Sequence, residues 1–321
     1  MKRQIQIRGF TLLEMLTALA IVAVLIGLLI PAISKISETA HTVKQKAQFH
    51  AIGVGLEAFR ADAGDYPPSI YTTRASTNPG SMDDGGYCGA QKLAEAIIGW
   101  DGFGYHPKSA WRSDGIADFN GDGTQAELVY DTINGIKIGN TVLQTALENQ
   151  KARKGPYLEL EKSNAVKLSS IYAGTPNSGG SIFSTVAKDT YVLADMFATV
   201  PNRVTGKRTG MPILYYRANT SQSLFRPTTM SNDPTKTSRD AVYNVNDNAP
   251  FFMYTSPTNN VHELGADREL FYKRIANPNF PPSATSPQRP YRAQSFILLS
   301  AGADGTYGTS DDVYNIDENE Q

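Results

Sequence analysis

A short acidic loop near the C-terminus holds the residues best suited to bind a ligand. Residues 299–312 read Leu-Ser-Ala-Gly-Ala-Asp-Gly-Thr-Tyr-Gly-Thr-Ser-Asp-Asp, so Asp304, Asp311 and Asp312 fall within one turn-rich stretch. Calcium takes about 6 to 8 oxygen ligands from carboxylates and backbone carbonyls, and a glycine-rich loop can direct both inward. The composition indicates a calcium-binding loop, with a solvated acidic loop as the alternative.

A second acidic loop has the opening of an EF-hand-like calcium motif. Asp118, Asn120 and Asp122 alternate in the run Asp-Phe-Asn-Gly-Asp-Gly, as such a loop requires. The position where an EF-hand needs its bidentate glutamate is Val129, so the full motif fails. Two interpretations remain, namely a second calcium site and a surface loop built from Asx turns.

One acidic residue, Glu14, interrupts a long apolar run near the N-terminus. The other exceptions among the apolar residues 10–30 are Thr11, Thr17 and Gly27. A carboxylate inside a membrane costs about 2.5 to 3.5 kcal/mol on insertion scales, so it needs a partner. If the chain were cut after Gly9, the new amine of Phe10 would lie at the depth of Glu14 on a neighbouring, axially shifted copy. That charge pair would set the stagger between subunits.

The apolar run predicts a membrane-spanning helix at residues 10–30. At about 1.5 Å per residue it is about 31 Å long, which matches the hydrocarbon core of a bilayer. The apolar region of a secretory signal peptide has about 7 to 15 residues, so this run is too long for one. Beyond Pro31, apolar residues recur every three or four positions, which predicts an amphipathic continuation to residue 62. We expect Pro31 to kink or locally melt this helix.

The residues around the start of the helix carry a family resemblance. Basic Lys2, Arg3 and Arg8 precede Gly9-Phe10-Thr11-Leu12-Leu13-Glu14, and Pro31 follows the apolar run. This arrangement resembles the class III signal of type IV pilins and type II secretion pseudopilins. The resemblance implies cleavage after Gly9 by a prepilin peptidase, N-methylation of Phe10 and assembly of the helix, with its Glu14 and Pro31, into a fibre.

The C-terminal loop is similar to the calcium loop of the major (G-type) pseudopilin. That loop begins Ser-x-Gly-x-Asp-Gly and has an adjacent acid pair further on, and both features occur here. By this resemblance, the side chains of Asp304, Asp311 and Asp312 would bind calcium together with the backbone carbonyls of Ala301 and Thr306.

The resemblance implies a structural subunit of a type II secretion pseudopilus, a piston-like fibre for protein export. Its partners would be further copies of the chain in a homo-oligomeric fibre, other pseudopilins, the inner-membrane secretion apparatus, prepilin peptidase and the membrane. The alternatives are a type IV pilin for adhesion, motility or DNA uptake, and a membrane-anchored binding protein with a pilin-like leader. Pilins commonly close their domain with a disulfide, which a single cysteine, Cys88, cannot form.

Composition argues against several other functions. The chain has 30 basic and 31 acidic residues, and no basic cluster outside the leader indicates nucleic-acid binding. The sequence has no His-Glu-x-x-His, Gly-x-Ser-x-Gly or phosphate-loop motif, so we do not expect an enzyme. The basic leader places the N-terminus in the cytoplasm, with one pass through the bacterial inner membrane and the globular domain in the periplasm.

These patterns predict an α+β fold, in which a long N-terminal helix is followed by a pilin-like globular domain with a small antiparallel sheet and long irregular loops. The expected divisions are a leader at residues 1–9, a helix at 10–62, and an exported domain at 63–321 with a large insertion at 70–290. Within the domain we expect helices at 90–98 and 141–151, strands at 136–138, 191–194, 212–217 and 296–300, and mostly irregular structure at 218–290.

Overall fold

A computed structural model describes residues 11–72, 86–123, 127–160, 162–172, 190–231, 236–253, 257, 260–283 and 286–316. Internal contacts divide the chain into two compact units, with the division between Val43 and Lys44. The first helix, α1, comprises Leu12–Ala63 and is helical across Pro31. The helix is therefore not melted at Pro31, because the proline removes a single backbone hydrogen bond from a long helix that continues on both sides. The other expected effect, a kink at Pro31, stays a prediction.

Short helices and strands make up the second unit and confirm the α+β class. The helices that follow α1 are α2 (Gly89–Ile98), α3 (Ala146–Ala152), α4 (Leu168–Ile171), a 3₁₀ turn (Val245–Asn248), α5 (Ala249–Met253), α6 (Glu263–Ala266) and α7 (Glu269–Ile275). The strands are β1 (Ile116–Ala117), β2 (Glu127–Leu128), β3 (Ile136–Ile138), β4 (Thr141–Gln144), β5 (Ala165–Lys167), β6 (Tyr191–Leu193), β7 (Val200–Pro201), β8 (Arg208–Thr209), β9 (Leu214–Arg217), β10 (Phe296–Ser300) and β11 (Val313–Tyr314).

The largest sheet among the described residues has three antiparallel strands in the order β11-β10-β9. Leu299 of β10 lies opposite Leu214 on one side and Tyr314 on the other. All five residues of β10 are buried, as the continuous apolar run Phe-Ile-Leu-Leu predicts for a central strand. Since β9 belongs to region 70–290, that region contributes a strand to this sheet.

The second half of α1 supplies one face of the core of the globular unit. Phe49, Ile52 and Leu56 are buried at helical spacing and belong to one apolar cluster with Leu93 of α2 and Leu298 of β10. Full burial of such a side chain contributes about 2 kcal/mol. The compact unit therefore includes the part of α1 that follows Val43.

Helix α2 is buried along its whole length, and it carries a glutamate into the core. Glu95 accepts hydrogen bonds from the hydroxyls of Tyr87 and Tyr130, both at 2.6 Å, and from Ser109. Burial raises the pKa of Glu95, and these three donors oppose that rise by stabilising the carboxylate. The network ties α2 to the segments around residues 109 and 130.

Two predicted segments differ from the structure. The helix expected at 141–151 is a strand, β4, followed by the shorter helix α3, because Thr145 and Glu148 form a capping box that starts the helix there. Region 218–290, expected to be mostly irregular, contains the 3₁₀ turn and α5 to α7. Phe251 and Phe271 within it are fully buried, so tertiary packing stabilises helices too short to show a clear periodicity.

Buried His106 leads to a prediction about pH. Its Nδ1 accepts the Lys108 N–H at 3.1 Å, and burial, aided by the charge of Arg153, lowers the pKa of His106 to about 4. The folded state therefore favours the neutral ring. Above the unfolded-state pKa of about 6.5 the ring is neutral in both states, and the folded state has its full stability. As the pH falls from there towards 4, the unfolded chain binds a proton that the folded chain does not, so the free energy of unfolding decreases.

We expect His106→Asn, which keeps an acceptor near the Nδ1 position but cannot titrate, to flatten this pH dependence. Between pH 7 and pH 4 the wild type should lose about 2 kcal/mol of unfolding free energy relative to the variant. The measurement is thermal unfolding of the full chain in detergent. His50→Asn, at an exposed position of α1, is the control and should follow the wild type. Parallel curves for wild type and His106→Asn would contradict the prediction.

Candidate functional site

Glu14 caps the first turn of helix α1 through hydrogen bonds within the same chain. The backbone N–H and the hydroxyl of Thr11 both donate to Glu14 Oε2 at 2.8 Å, and the Glu14 N–H donates to Thr11 Oγ1 at 3.2 Å. This is a reciprocal capping box, and its Thr-x-x-Glu signal is present in the sequence. Sequence reasoning considered only the charge of Glu14 and missed it. Gly9 and Phe10 lie outside the described residues.

The segment Leu12–Leu29 is, among the described residues, the helix long and apolar enough to cross a membrane. None of this segment is buried, and Leu13 and Leu19 expose 70% and 67% of their surface. A continuous apolar surface of this size is unfavourable in water and needs lipid or neighbouring helices around it. These observations favour a membrane-anchored chain with one spanning helix.

The structure brings the three aspartates of the C-terminal loop together. Asp311 Oδ2 accepts the N–H groups of Ala303 and Asp304, at 2.6 and 3.0 Å. Asp304 Oδ1 accepts the Thr306 N–H at 2.7 Å, and Asp312 Oδ2 accepts the Gly308 N–H at 2.8 Å. The carboxylates thus fold the loop around themselves through backbone hydrogen bonds.

Burial and mutual repulsion disfavour the charged forms of two aspartates in this loop. Burial raises the pKa of Asp312 well above its ordinary value, and the charges of Asp311 and Asp304 add to the rise. Burial, with Asp311 as a further cause, also raises the pKa of Asp304. Asp312 Oδ1 is buried and has no hydrogen-bond partner within the described part of the chain. A bound cation would instead stabilise the charged carboxylates, which is what calcium does in a site built from carboxylates.

The side chains alone do not complete a metal site. In the described ranges, no group of three His, Cys, Asp or Glu side chains is arranged to hold a metal ion. Calcium binding would therefore depend on backbone carbonyls, for which the resemblance points to Ala301 and Thr306. Both residues are buried, and the Thr306 carbonyl already accepts the Thr309 hydroxyl at 3.0 Å.

Residues distant in sequence hold the loop in place, and sequence reasoning missed them. The Tyr307 N–H donates to His262 Nδ1 at 3.1 Å, and the Leu264 N–H donates to the Tyr307 carbonyl at 3.0 Å. At the base of the loop, Ser300 Oγ donates to buried Asp195 at 2.9 Å. Burial raises the pKa of Asp195 to about 7. No local pattern around His262 or Asp195 indicates these contacts.

The second acidic loop is closed by hydrogen bonds between its own side chains and backbone. Asp118 accepts three backbone N–H groups, from Gly121 at 2.7 Å, Asp122 at 3.1 Å and Gly123 at 3.0 Å. Asn120 donates from its side chain to Asp122 Oδ2 at 2.8 Å and accepts the Asp122 N–H at 3.1 Å. The Asn120 bond to the Asp122 N–H spans two residues, as in an Asx turn, whereas the Asp118 bonds span three to five residues. Calcium binding by Asp118, Asn120 and Asp122 stays a prediction.

Comparison with known proteins identifies the N-terminal segment. Residues 6–30 match the family model described as the prokaryotic N-terminal methylation motif. No curated protein matches the chain, and no solved structure matches it. The match contains Gly9, Phe10 and Glu14 and ends just before Pro31. The chain thus carries a pilin-like leader, and the globular unit has to be interpreted from its own geometry.

The loop's close approach to α6 predicts the effect of a small substitution. Gly308 has a φ of +100°, and a Cβ on it would lie 2.4 Å from the backbone nitrogen of Leu264. Gly308→Ala should lower the unfolding free energy by about 2 to 3 kcal/mol, because strain and a backbone clash combine. The measurement is thermal unfolding of the full chain in detergent.

The matched control is Gly206→Ala. Gly206 also has a positive φ, +69°, but a Cβ there would meet nothing within 4 Å. It should show the cost of the backbone conformation alone, about 1 kcal/mol. Equal losses for the two variants would contradict the packing of the loop against α6.

Proposed function

We propose that this protein is a structural subunit of a type II secretion pseudopilus. In this proposal a prepilin peptidase cleaves after Gly9, Phe10 is N-methylated, and the apolar helix packs with other subunits in the fibre. The observation that carries the proposal is the methylation motif at residues 6–30, continued by an exposed apolar helix. The globular unit would lie on the periplasmic side of the bacterial inner membrane, with the leader in the cytoplasm.

The capping box suggests how the subunit tolerates an intramembrane acid before assembly. Two hydrogen bonds from Thr11 satisfy Glu14 Oε2 within one chain, which offsets part of the cost of removing the carboxylate from water. Cleavage creates a positive amine at Phe10. In the fibre, Glu14 of one subunit would pair with that amine on an axially shifted neighbour. The same carboxylate would therefore cap the helix in the free subunit and set the axial stagger between subunits in the fibre.

Two features favour a pseudopilus over a type IV pilus. Cys88 is buried and is the single cysteine of the chain, so no intramolecular disulfide can close the domain. The C-terminal loop has the charge and the buried carboxylate oxygen that suit calcium, which the resemblance to the major pseudopilin implies. We propose that Asp304, Asp311, Asp312 and the carbonyls of Ala301 and Thr306 hold the ion. A second ion at Asp118, Asn120 and Asp122 is a weaker proposal, because that loop is already satisfied by its own N–H groups.

The alternatives remain a type IV pilin and a membrane-anchored binding protein with a pilin-like leader. All three share processing at Gly9, and they differ in the process that fails when the protein is removed. A pseudopilin is needed for protein export, whereas a pilin is needed for adhesion, motility or DNA uptake. A binding protein would be processed without entering a fibre.

The test is complementation of a deletion strain in the bacterium that carries this protein. We expect deletion to abolish export of secreted proteins while twitching motility and DNA uptake continue. Mass spectrometry of the wild-type protein should find an N-terminus beginning with methylated Phe10. Loss of motility or DNA uptake with normal export would overturn the pseudopilus proposal in favour of a pilus.

Two variants separate the roles of Glu14. Glu14→Gln keeps a side-chain oxygen for the cap but removes the charge, so we expect processing and membrane insertion without fibre assembly. Thr11→Val removes the hydroxyl of the cap but keeps the charge, so most of the assembly should remain. Cross-linking of fibres in sheared fractions measures both. Normal assembly of Glu14→Gln would show that the charge pair does not set the stagger.

Calcium should stabilise the globular unit through the C-terminal loop. A hundredfold excess of calcium over Kd would add about 2.7 kcal/mol to the unfolding free energy. Asp304→Asn relieves repulsion from Asp311, so without calcium it should be at least as stable as the wild type. It should gain little when calcium is added. Thermal unfolding of the full chain in detergent, with calcium or with a chelator, gives both values.

Asp267→Asn is the matched control, because it removes the same charge from an exposed site outside both acidic loops. Its gain from calcium should equal that of the wild type. An unchanged melting temperature of the wild type on chelation would contradict a calcium site in the loop. It would also weaken the case for a pseudopilus over a pilus.

A further inference from the structure

Two cavities adjoin on the surface of the globular unit. The first, about 230 Å³, is lined in part by Arg217 and Arg239, and the second, about 490 Å³, is lined in part by Arg60 and Arg289. Thr220 and Val242 line both, so the cavities share a wall. We refer to the pair as the arginine cleft.

The lining of the arginine cleft is positively charged although the chain as a whole is not. Among the described residues, the charged residues that line it are the four arginines and one acid, Asp247. Two further acids, Asp65 and Glu57, pair with Arg217 and Arg60, so four arginines face three acids. The whole chain has 30 basic and 31 acidic residues. A local excess of this kind attracts negatively charged ligands.

Ion pairs hold the two arginines of the first cavity in place. Arg239 pairs with Asp247, which is buried and also accepts the Ser69 hydroxyl at 2.5 Å. Arg217 pairs with Asp65, and its side chain is 33% exposed. A guanidinium has five N–H donors in a fixed plane, so one carboxylate partner leaves others directed elsewhere. The pairs therefore position these arginines without using all of their donors.

Aromatic rings support the two arginines of the second cavity. The Arg60 guanidinium lies 4.9 Å from the centre of the Tyr66 ring, and that of Arg289 lies 5.7 Å from the centre of the Phe280 ring. Arg60 also forms a 3.7 Å ion pair with Glu57 in which both side chains are more than half exposed. Such an exposed pair contributes little, so an incoming carboxylate can compete with it.

The remaining lining of the cleft is rich in hydroxyl and amide groups. They come mainly from the segment at the shared wall and from Asn244, and they include Asn219, Thr220, Ser221, Gln222 and Ser223. Such groups donate to and accept from sugar hydroxyls. No aromatic ring is among the described residues that line the cleft, which disfavours stacked bases of single-stranded nucleic acid. Eight of the described lining residues are apolar, so an acidic peptide is the competing ligand that the experiment has to exclude.

We propose that the arginine cleft binds a strand of acidic polysaccharide. The arginines would bind uronate carboxylates, and the hydroxyl and amide side chains at the shared wall would bind the sugar hydroxyls. Because the lining lacks rings for neutral sugars to stack on, charge carries the recognition. This binding does not depend on whether the chain assembles into a secretion fibre or a pilus.

The test is calorimetric titration of the full chain, in detergent, with tetragalacturonate. Wild type should bind, and Arg289→Gln and Arg60→Gln should each bind about tenfold more weakly, since each loses a charge-assisted contact. Arg208→Gln is the matched control, because it removes the same charge at an exposed position outside the cleft. It should bind like the wild type. Arg239 is left intact, because its removal would leave buried Asp247 without its cation.

Three further probes make the outcome decisive. A neutral galactose tetramer should bind at least tenfold more weakly than tetragalacturonate, because it offers no carboxylate to the arginines. Tighter binding of hexaglutamate or of a thymidine octanucleotide would overturn the proposal in favour of a peptide or a nucleic acid. Absence of tetragalacturonate binding by the wild type would also overturn it. So would equal weakening by Arg289→Gln and Arg208→Gln, since the effect would then come from net charge alone.

Discussion

The apolar face on the second half of α1 is the constraint on which the globular unit depends. Phe49, Ile52 and Leu56 are buried against α2 and the central strand β10, so these elements share one core. Close packing between them leaves no room for larger residues at the contacts. At Gly55 of α1, for example, a Cβ would lie 2.9 Å from Cδ1 of Ile97 in α2. The short strands and helices gain their stability from this core and from the neighbouring apolar clusters, because segments of two to seven residues are not stable alone.

The same core contains ionisable groups, and each is held by specific partners. Glu95 is held by three hydroxyl donors, and Asp195 by Ser300 and backbone N–H groups. Lys92, whose pKa burial lowers to about 8, donates to the Ile70 carbonyl at 2.5 Å. A buried polar group that lost its partners would cost more than the hydrogen bonds contribute, so such networks strongly favour one packing arrangement. The acidic loop differs from them, because Asp312 Oδ1 is buried without a hydrogen-bond partner in the described part of the chain, and burial raises the pKa of Asp312.

The proposed functions lie on separate parts of the chain. The leader and the apolar helix carry the signal for processing and assembly, and the match to the methylation motif ends at residue 30. The acidic loop follows β10, the most buried strand, and is fixed by contacts to α6. The arginine cleft uses residues from α1, from the end of β9 and from the loops beyond it. This separation would allow the surface of the globular unit to acquire a ligand while the apolar helix keeps its pattern.

The sequence by itself determined the features that depend on neighbouring residues. These are the leader signal, the long apolar helix, helix α2 and strands β3, β6, β9 and β10, because hydrophobic period and turn residues act over a few positions. It also contained the Thr-x-x-Glu cap at Thr11 and Glu14, whose signal was overlooked. Only the tertiary structure decided the helices in 218–290, the anchoring of the loop by His262 and the gathering of four arginines into one cleft. Those features depend on contacts between residues far apart in the chain, and their energies come from burial and hydrogen bonding that no local pattern records.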